Sequence, residues 1–277
     1  MTKTKYTPPI VSASEYKPSE SITALIYGPT KSGKTFFAGS FNSPRTVYIN
    51  IGAGIATLYS PLAIEQYGKP EFQLINITED FENPKMYMEV SETLNYFFEP
   101  DRLDTFDTII IDDASAMNYA AMNQGMTVSD AVGRSKALGI SRKLGVNIPG
   151  RQDFGMQMSL MDQFMRFFTE QSKAFNKNFI VLAHDKEVYK GEGEKRQISK
   201  LRPLFTGNND IPAYFDLVWM MESVAGGKGN IYRAITEGDE IIEAGSRWGG
   251  IFPTKYKNPN YKEIKNALDT LTPIVQK

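Results

Sequence analysis

The segment Gly28-Pro29-Thr30-Lys31-Ser32-Gly33-Lys34-Thr35 matches G-x-x-x-x-G-K-[ST] and follows directly on the apolar run Ile22–Tyr27. A turn of this kind needs a buried strand before it and a helix after it. Backbone N–H groups and the helix N-terminus then converge on one point and can surround a chain of phosphates. On this reading Lys34 neutralises β- and γ-phosphate oxygens and is the first catalytic candidate, while Thr35 offers its hydroxyl to Mg²⁺. The nucleotide-binding segment comprises Gly28, Pro29, Thr30, Lys31, Ser32, Gly33, Lys34, Thr35 and Phe36, with ATP or a close relative as the ligand.

Such a motif belongs to an α/β chain, and the remaining pattern agrees. Strands are expected at Thr46–Ile51, Phe72–Ile77, Asp107–Asp112, Phe179–Ala183, Leu217–Met221 and Ile231–Thr236. Between and after them, helical spacing predicts helices over 55–67, 84–98, 114–126, 154–175 and 261–271; in the second of these Met86, Val90, Leu94 and Phe97 recur at helical intervals. Alternating strands and helices imply a mostly parallel central sheet flanked by helices. Residues 1–19 are polar and contain Pro8-Pro9, as in a flexible leader, and 20–277 read as a single domain with basic excursions near 127–152 and 185–209.

The site needs a second half, a carboxylate at the end of an apolar strand on the metal's side. Thr108-Ile109-Ile110-Ile111-Asp112 supplies it, making Asp112 the Mg²⁺-side acid. Asp113 either polarises the attacking water or caps the following helix. His184 ends the strand Phe179–Ala183, where it could detect a γ-phosphate or serve as a structural donor. The chain has no cysteine and a single histidine, which removes disulfide frameworks, thiol catalysis and zinc ribbons and leaves oxygen-bound Mg²⁺ as the expected metal.

A net charge of −1 gives no global signature of a polyanion binder, so a nucleic-acid site would have to be local. Two segments qualify. Arg134, Lys136, Arg142, Lys143 and Arg151 fall in a stretch without acidic residues, and Lys190, Lys195 and Arg196 belong to a second basic stretch diluted by Glu187, Glu192 and Glu194. Either could contact DNA phosphates or be a solvated loop or hairpin. No stretch approaches 18 apolar residues and no targeting signal is recognisable, so no membrane partner is expected and the cytoplasm is the default compartment.

Taken in order, Gly28–Thr35, Phe106–Asp112, Gln152-Asp153-Phe154-Gly155 and Val181–Lys186 resemble the phage-encoded RecA-like P-loop ATPase cores, the AAA-type nucleotide-binding proteins of phages. Arg202-Pro203, Ile211-Pro212, Phe215–Val218, Ser246-Arg247 and Pro253 continue the likeness over roughly 22–268. The resemblance implies a RecA-like fold, ATP, and single-stranded DNA as partner in annealing or strand exchange. It also implies work beside a single-strand-binding protein, ring or filament assembly, and the cytoplasm of an infected bacterial host. It makes Arg247 the position matching a basic residue that reaches a neighbour's nucleotide. One departure stands out: RecA-type cores carry a catalytic glutamate after the second strand, whereas Asn50-Ile51-Gly52-Ala53-Gly54 has no acid. Asp113 then substitutes, or hydrolysis is slow. A P-loop small-molecule or nucleoside kinase and a nucleotide-switched loader with little turnover are the alternatives.

Overall fold

Strands β1 (Thr23–Tyr27), β2 (Thr46–Asn50) and β4 (Thr108–Asp112) are buried along their whole length, as is β5 (Asn178–Ala183). Strands covered on both faces are the mark of a parallel sheet sandwiched by helices. The computed structural model describes residues 20–80, 83–131, 149–191, 197–206, 210–226 and 229–271. Its main sheet runs β11-β9-β8-β1-β5-β4-β2-β3, with β3 (Gln73–Asn76), β8 (Leu217–Gly226), β9 (Gly229–Ile235) and β11 (Lys255–Lys257) completing the row and β10 (Gly245–Ser246) paired to β8. From β3 to β8 every pairing is parallel; β9, β10 and β11 add antiparallel pairs at one side. This is the α/β core expected from the sequence, a mostly parallel sheet flanked by helices, with β5 inserted between the P-loop strand and the strand that carries Asp112.

Side chains alternate between the two faces, as period two requires. Leu25, Ile49, Ile111 and Val181 pack with Val90 and Leu94 of α3 (Met86–Phe97), Met117 of α4 (Ala114–Ala131) and Met161, Phe164 and Phe168 of α5 (Arg151–Ala174). Ala24, Ile26, Tyr48, Ile110 and Leu182 pack on the opposite face with Phe37 of α1 (Lys34–Ala38), Phe41 and Ile264 of α6 (Tyr261–Asp269). The methionine and aromatic stripe of α5 is therefore core.

Two expectations need correction. The helix expected over 55–67 is a 3₁₀ turn, Gly54–Tyr59, followed by α2 (Pro61–Tyr67). Pro61 excludes helical backbone at the residue before it, and Ser60 accordingly sits at φ −68°, ψ 150° with its Oγ accepting from Ala63 N–H, capping α2. The excursion expected from Thr127 begins later, because α4 continues to Ala131; residues 132–148 lie outside those described. Much of the polar stretch 185–209 is a hairpin of β6 (Asp185–Lys190) and β7 (Gln197–Pro203), one of the two readings the sequence left open. The leader expected at 1–19 also lies outside the described residues.

Candidate functional site

Parallel strands end together, and here the carboxyl ends of β1, β5, β4 and β2 deliver the sequence candidates to one edge. In register, Tyr27 pairs with Ala183 and Asn50 with Asp112. Chain segments leaving these strands therefore begin side by side, the arrangement in which open α/β sheets bind ligands.

The P-loop turns sharply at Gly28, whose N–H donates to Ala183 O (3.2 Å). A side chain at Gly28 would meet Met221 O at 2.3 Å, and one at Gly33, where φ is 96°, would strike the Tyr232 ring at 2.4 Å. Both positions thus require glycine, for space and for backbone conformation. Lys34 opens α1, is buried, and donates from Nζ to Gly28 O (2.7 Å) and Pro29 O (2.9 Å). Burial pulls its ammonium below the ordinary lysine value, while the carboxylates of Asp112, Asp113 and Asp185 oppose that shift. A phosphate would offset this desolvation. Ser32 Oγ, in the same turn, is buried and has no hydrogen-bond partner among the described residues. An orphaned hydroxyl and a desolvated ammonium fit an anion held in this loop. Phe36 has a packing role: its ring lies 5.1 Å from both Tyr67 and Tyr232.

Thr35 Oγ1 donates to Asp112 Oδ2 (2.9 Å), and Tyr48 OH donates to the same oxygen (2.6 Å). Burial raises the Asp112 carboxyl above the usual carboxylate value; the two hydroxyl donors and Lys34 pull it down, and Asp113 pushes it further up. A buried carboxylate beside a threonine hydroxyl is the donor set for an oxygen-bound divalent cation. Asp112 and Thr35 therefore fit Mg²⁺. The backbone of the turn after β2 closes over them: a Cβ on Gly54 would lie 2.7 Å from Asp112 Oδ2 and 2.9 Å from Thr35 Oγ1.

Asp113 serves in two directions. Its Oδ1 accepts from Ala116 N–H (2.7 Å), capping α4, while His184 Nε2 lies 3.3 Å from Oδ2. The backbone N–H of His184 donates to Ser115 Oγ (2.8 Å), which anchors the end of β5 to α4. Position 52, where the sequence lacks an acid, opens onto the same carboxylate: an ideal Cβ on Gly52 would stand 3.8 Å from Asp113 Oδ2. Asp113 thus fills the space beside the turn after β2.

Arg247 is not brought to this edge within the chain. Its backbone N–H donates to Asp216 O, its Nε lies 3.0 Å from Asp216 Oδ1, and Asp216 in turn holds Thr23 at the start of β1. Arg247 is therefore one strand length, roughly 16 Å, from the P-loop end of the sheet, with its side chain half exposed. Among the DNA candidates, Arg134, Lys136, Arg142, Lys143, Lys195 and Arg196 lie outside the described residues. Arg151 is exposed at the start of α5, and Lys190 is exposed at the end of β6. The β6–β7 hairpin leaves the sheet immediately after His184 and is tied back at its base, where Leu204 N–H donates to His184 O and Tyr27 OH donates to Leu201 O. Tyr189 and Ile198 pair across it, 41% and 40% exposed.

Sequence reasoning missed Tyr48 and Gly54. Both act through strand register and turn geometry; Tyr48 carries only the weak signal of a polar-tipped residue two before the strand end.

The profile of the family described as AAA domain matches residues 20–248. No curated protein matches the sequence. Among solved structures, the crystal structure of flagellar accessory protein FlaH from Methanocaldococcus jannaschii is similar to this chain, with a TM-score of 0.40 and 14% identity, covering 87% of this chain and 85% of that one.

Proposed function

The chain belongs to the AAA domain family, and from that premise we propose that it binds ATP with Mg²⁺ at Gly28–Thr35, hydrolyses it slowly, and uses the nucleotide to control contact with single-stranded DNA in phage recombination by annealing or strand exchange. The observation that carries this reading is the convergence of Lys34, Thr35, Asp112, Asp113 and His184 at one sheet edge, on segments leaving three different strands.

In this reading the P-loop N–H groups and Lys34 hold the β- and γ-phosphates, Lys34 exchanging two backbone carbonyls for phosphate oxygens. Thr35 and Asp112 would hold Mg²⁺, which would supply positive charge to the phosphate oxygens. Asp113 Oδ2 accepts a hydrogen bond from the attacking water, and His184 steadies that oxygen from the other side. Asp113 also caps α4, and the slow turnover follows from the absence of an acid in Asn50-Ile51-Gly52-Ala53-Gly54 after β2.

The DNA part rests on the basic stretches and on the hairpin. Lys190 and the Tyr189 ring sit on an element rooted at His184, so a shift of His184 on the γ-phosphate would be felt at a surface offering both charge and a stacking ring. Work in the bacterial cytoplasm, beside a single-strand-binding protein and as a ring or filament, belongs to the same proposal.

A filter-binding assay on single-stranded DNA, with and without ATP and over a range of salt, tests it. Binding that strengthens with ATP and falls steeply with salt is expected. Absence of binding in both states at low salt would overturn the DNA part, and phosphoryl transfer to a nucleoside instead of water would replace it with a kinase.

A further inference from the structure

At the carboxyl edge of the sheet a row of polar side chains crosses three strands. Asn76 of β3 is in register with Asn50 of β2, and Asn50 is in register with Asp112 of β4. Asn50 lies two residues beyond Tyr48, so strand alternation puts it on the face from which the Tyr48 hydroxyl reaches Asp112 Oδ2. Neighbouring strands are about 4.8 Å apart, which sets the side chains of Asn50 and Asp112 next to each other.

Asn50 is only 8% exposed. Its Nδ2 donates to Asn76 Oδ1 (2.9 Å), toward β3. The planar amide then turns Oδ1 away from Asn76, and that oxygen is buried with no hydrogen-bond partner among the described residues. A buried carbonyl oxygen left without a donor is destabilising, so its retention beside a metal-binding acid asks for a ligand that donates. Asp112 and Thr35 would offer two oxygens to a bound Mg²⁺, which takes six oxygen ligands and would draw the others from phosphate and water. Metal-bound water is polarised and is a strong donor.

We propose that Asn50 Oδ1 accepts a hydrogen bond from a water in the Mg²⁺ hydration shell, making Asn50 a positioning residue for the metal. The proposal rests on the Mg²⁺-nucleotide reading given above. An amide, unlike a carboxylate, orients such a water without taking its proton. Asn50 therefore tightens metal binding and adds nothing to general-base catalysis, in keeping with slow turnover.

The test is a Mg²⁺ titration of the full-length chain at a fixed concentration of a fluorescent, non-hydrolysable ATP analogue, which reads the half-saturating Mg²⁺ concentration without turnover. Asn50→Leu removes the acceptor at similar volume and is expected to raise that concentration roughly 10-fold, the lower end of the usual effect of losing an outer-shell partner; the metal-free nucleotide affinity should stay unchanged. Asn50→Asp keeps an acceptor and adds charge, and is expected to hold the requirement or lower it. Asn76→Leu removes the amide pair but not Oδ1, and is expected to shift it less than Asn50→Leu does. A folded Asn50→Leu chain with the wild-type Mg²⁺ requirement, or an Asn76→Leu shift equal to that of Asn50→Leu, would overturn the assignment alone. If Asn50→Leu does not fold, a raised requirement in Asn50→Asp overturns it. A wild-type chain whose nucleotide binding ignores Mg²⁺ overturns both this assignment and the reading beneath it.

Discussion

Asp112 is the residue at which stability and ligand binding oppose each other. Folding buries its carboxyl and raises its pKa, while Tyr48 and Thr35 compensate only in part. The unfolded chain therefore gives up this proton at lower pH than the folded one. As pH rises above about 3.9, the ordinary aspartate value, the nucleotide-free protein loses stability through this group until the raised folded pKa is passed, after which the loss is constant. Asp112→Asn removes that slope. Without metal, the variant should melt later than the wild type at neutral pH, by ~1 kcal/mol, and the two should converge in acid; Mg²⁺ with ATP should stabilise the wild type and not the variant. Thermal melts across pH, with and without Mg²⁺-ATP, measure this directly. Of the residues in this constellation, Lys34, Thr35 and Asp112 were legible in the sequence because a spaced motif and an apolar strand are local signals. Tyr48 and Asn50 were not, since their roles depend on which strand lies beside β4 and in what register.

At the scale of elements, local grammar explains what could be read and what could not. β1, β4 and β5 are runs of apolar residues, and α3 and α5 repeat their buried side chains at helical spacing, so each declared itself. The hairpin β6–β7 was legible only as one reading beside a solvated loop: most of its side chains are exposed or half-exposed, and no alternating apolar face tells the two apart. β10 and β11, of two and three residues, are too short to carry a period. Two predictions belong here. Gly54→Ala drives a methyl into Asp112 Oδ2 and Thr35 Oγ1, so Mg²⁺-dependent nucleotide binding should weaken at least 10-fold, the size of effect seen when metal surroundings are disturbed, while a methyl's worth of overpacking costs ~1–3 kcal/mol of stability; a Mg²⁺ titration beside a denaturant melt separates the two. Replacing Lys190 and Tyr189 together by alanine should lower single-stranded DNA affinity, with the ring worth ~1–3 kcal/mol and the lysine reducing the salt slope by about one. ATP binding by that variant should equal the wild type's.

Among the described residues a main sheet covered on both faces, with the small β6–β7 sheet beside it, brings the candidate site together at one edge. Arg247 stands at the opposite edge, held by Asp216, so any part it plays at a nucleotide must be played on a neighbouring chain. Arg247→Ala should then leave the ATP affinity of the isolated chain unchanged and abolish any rise in turnover that accompanies assembly; sedimentation with Mg²⁺-ATP, paired with turnover measured across protein concentrations, reads both. Everything else depends on the phosphate site. Isothermal titration of ATP into the full-length chain, with and without Mg²⁺ and beside Lys34→Ala, tests it most directly. Saturable binding that tightens with Mg²⁺ and is lost in Lys34→Ala is the predicted result. Binding that survives in Lys34→Ala unchanged, or no binding by the wild-type chain at millimolar ATP and Mg²⁺, would contradict it.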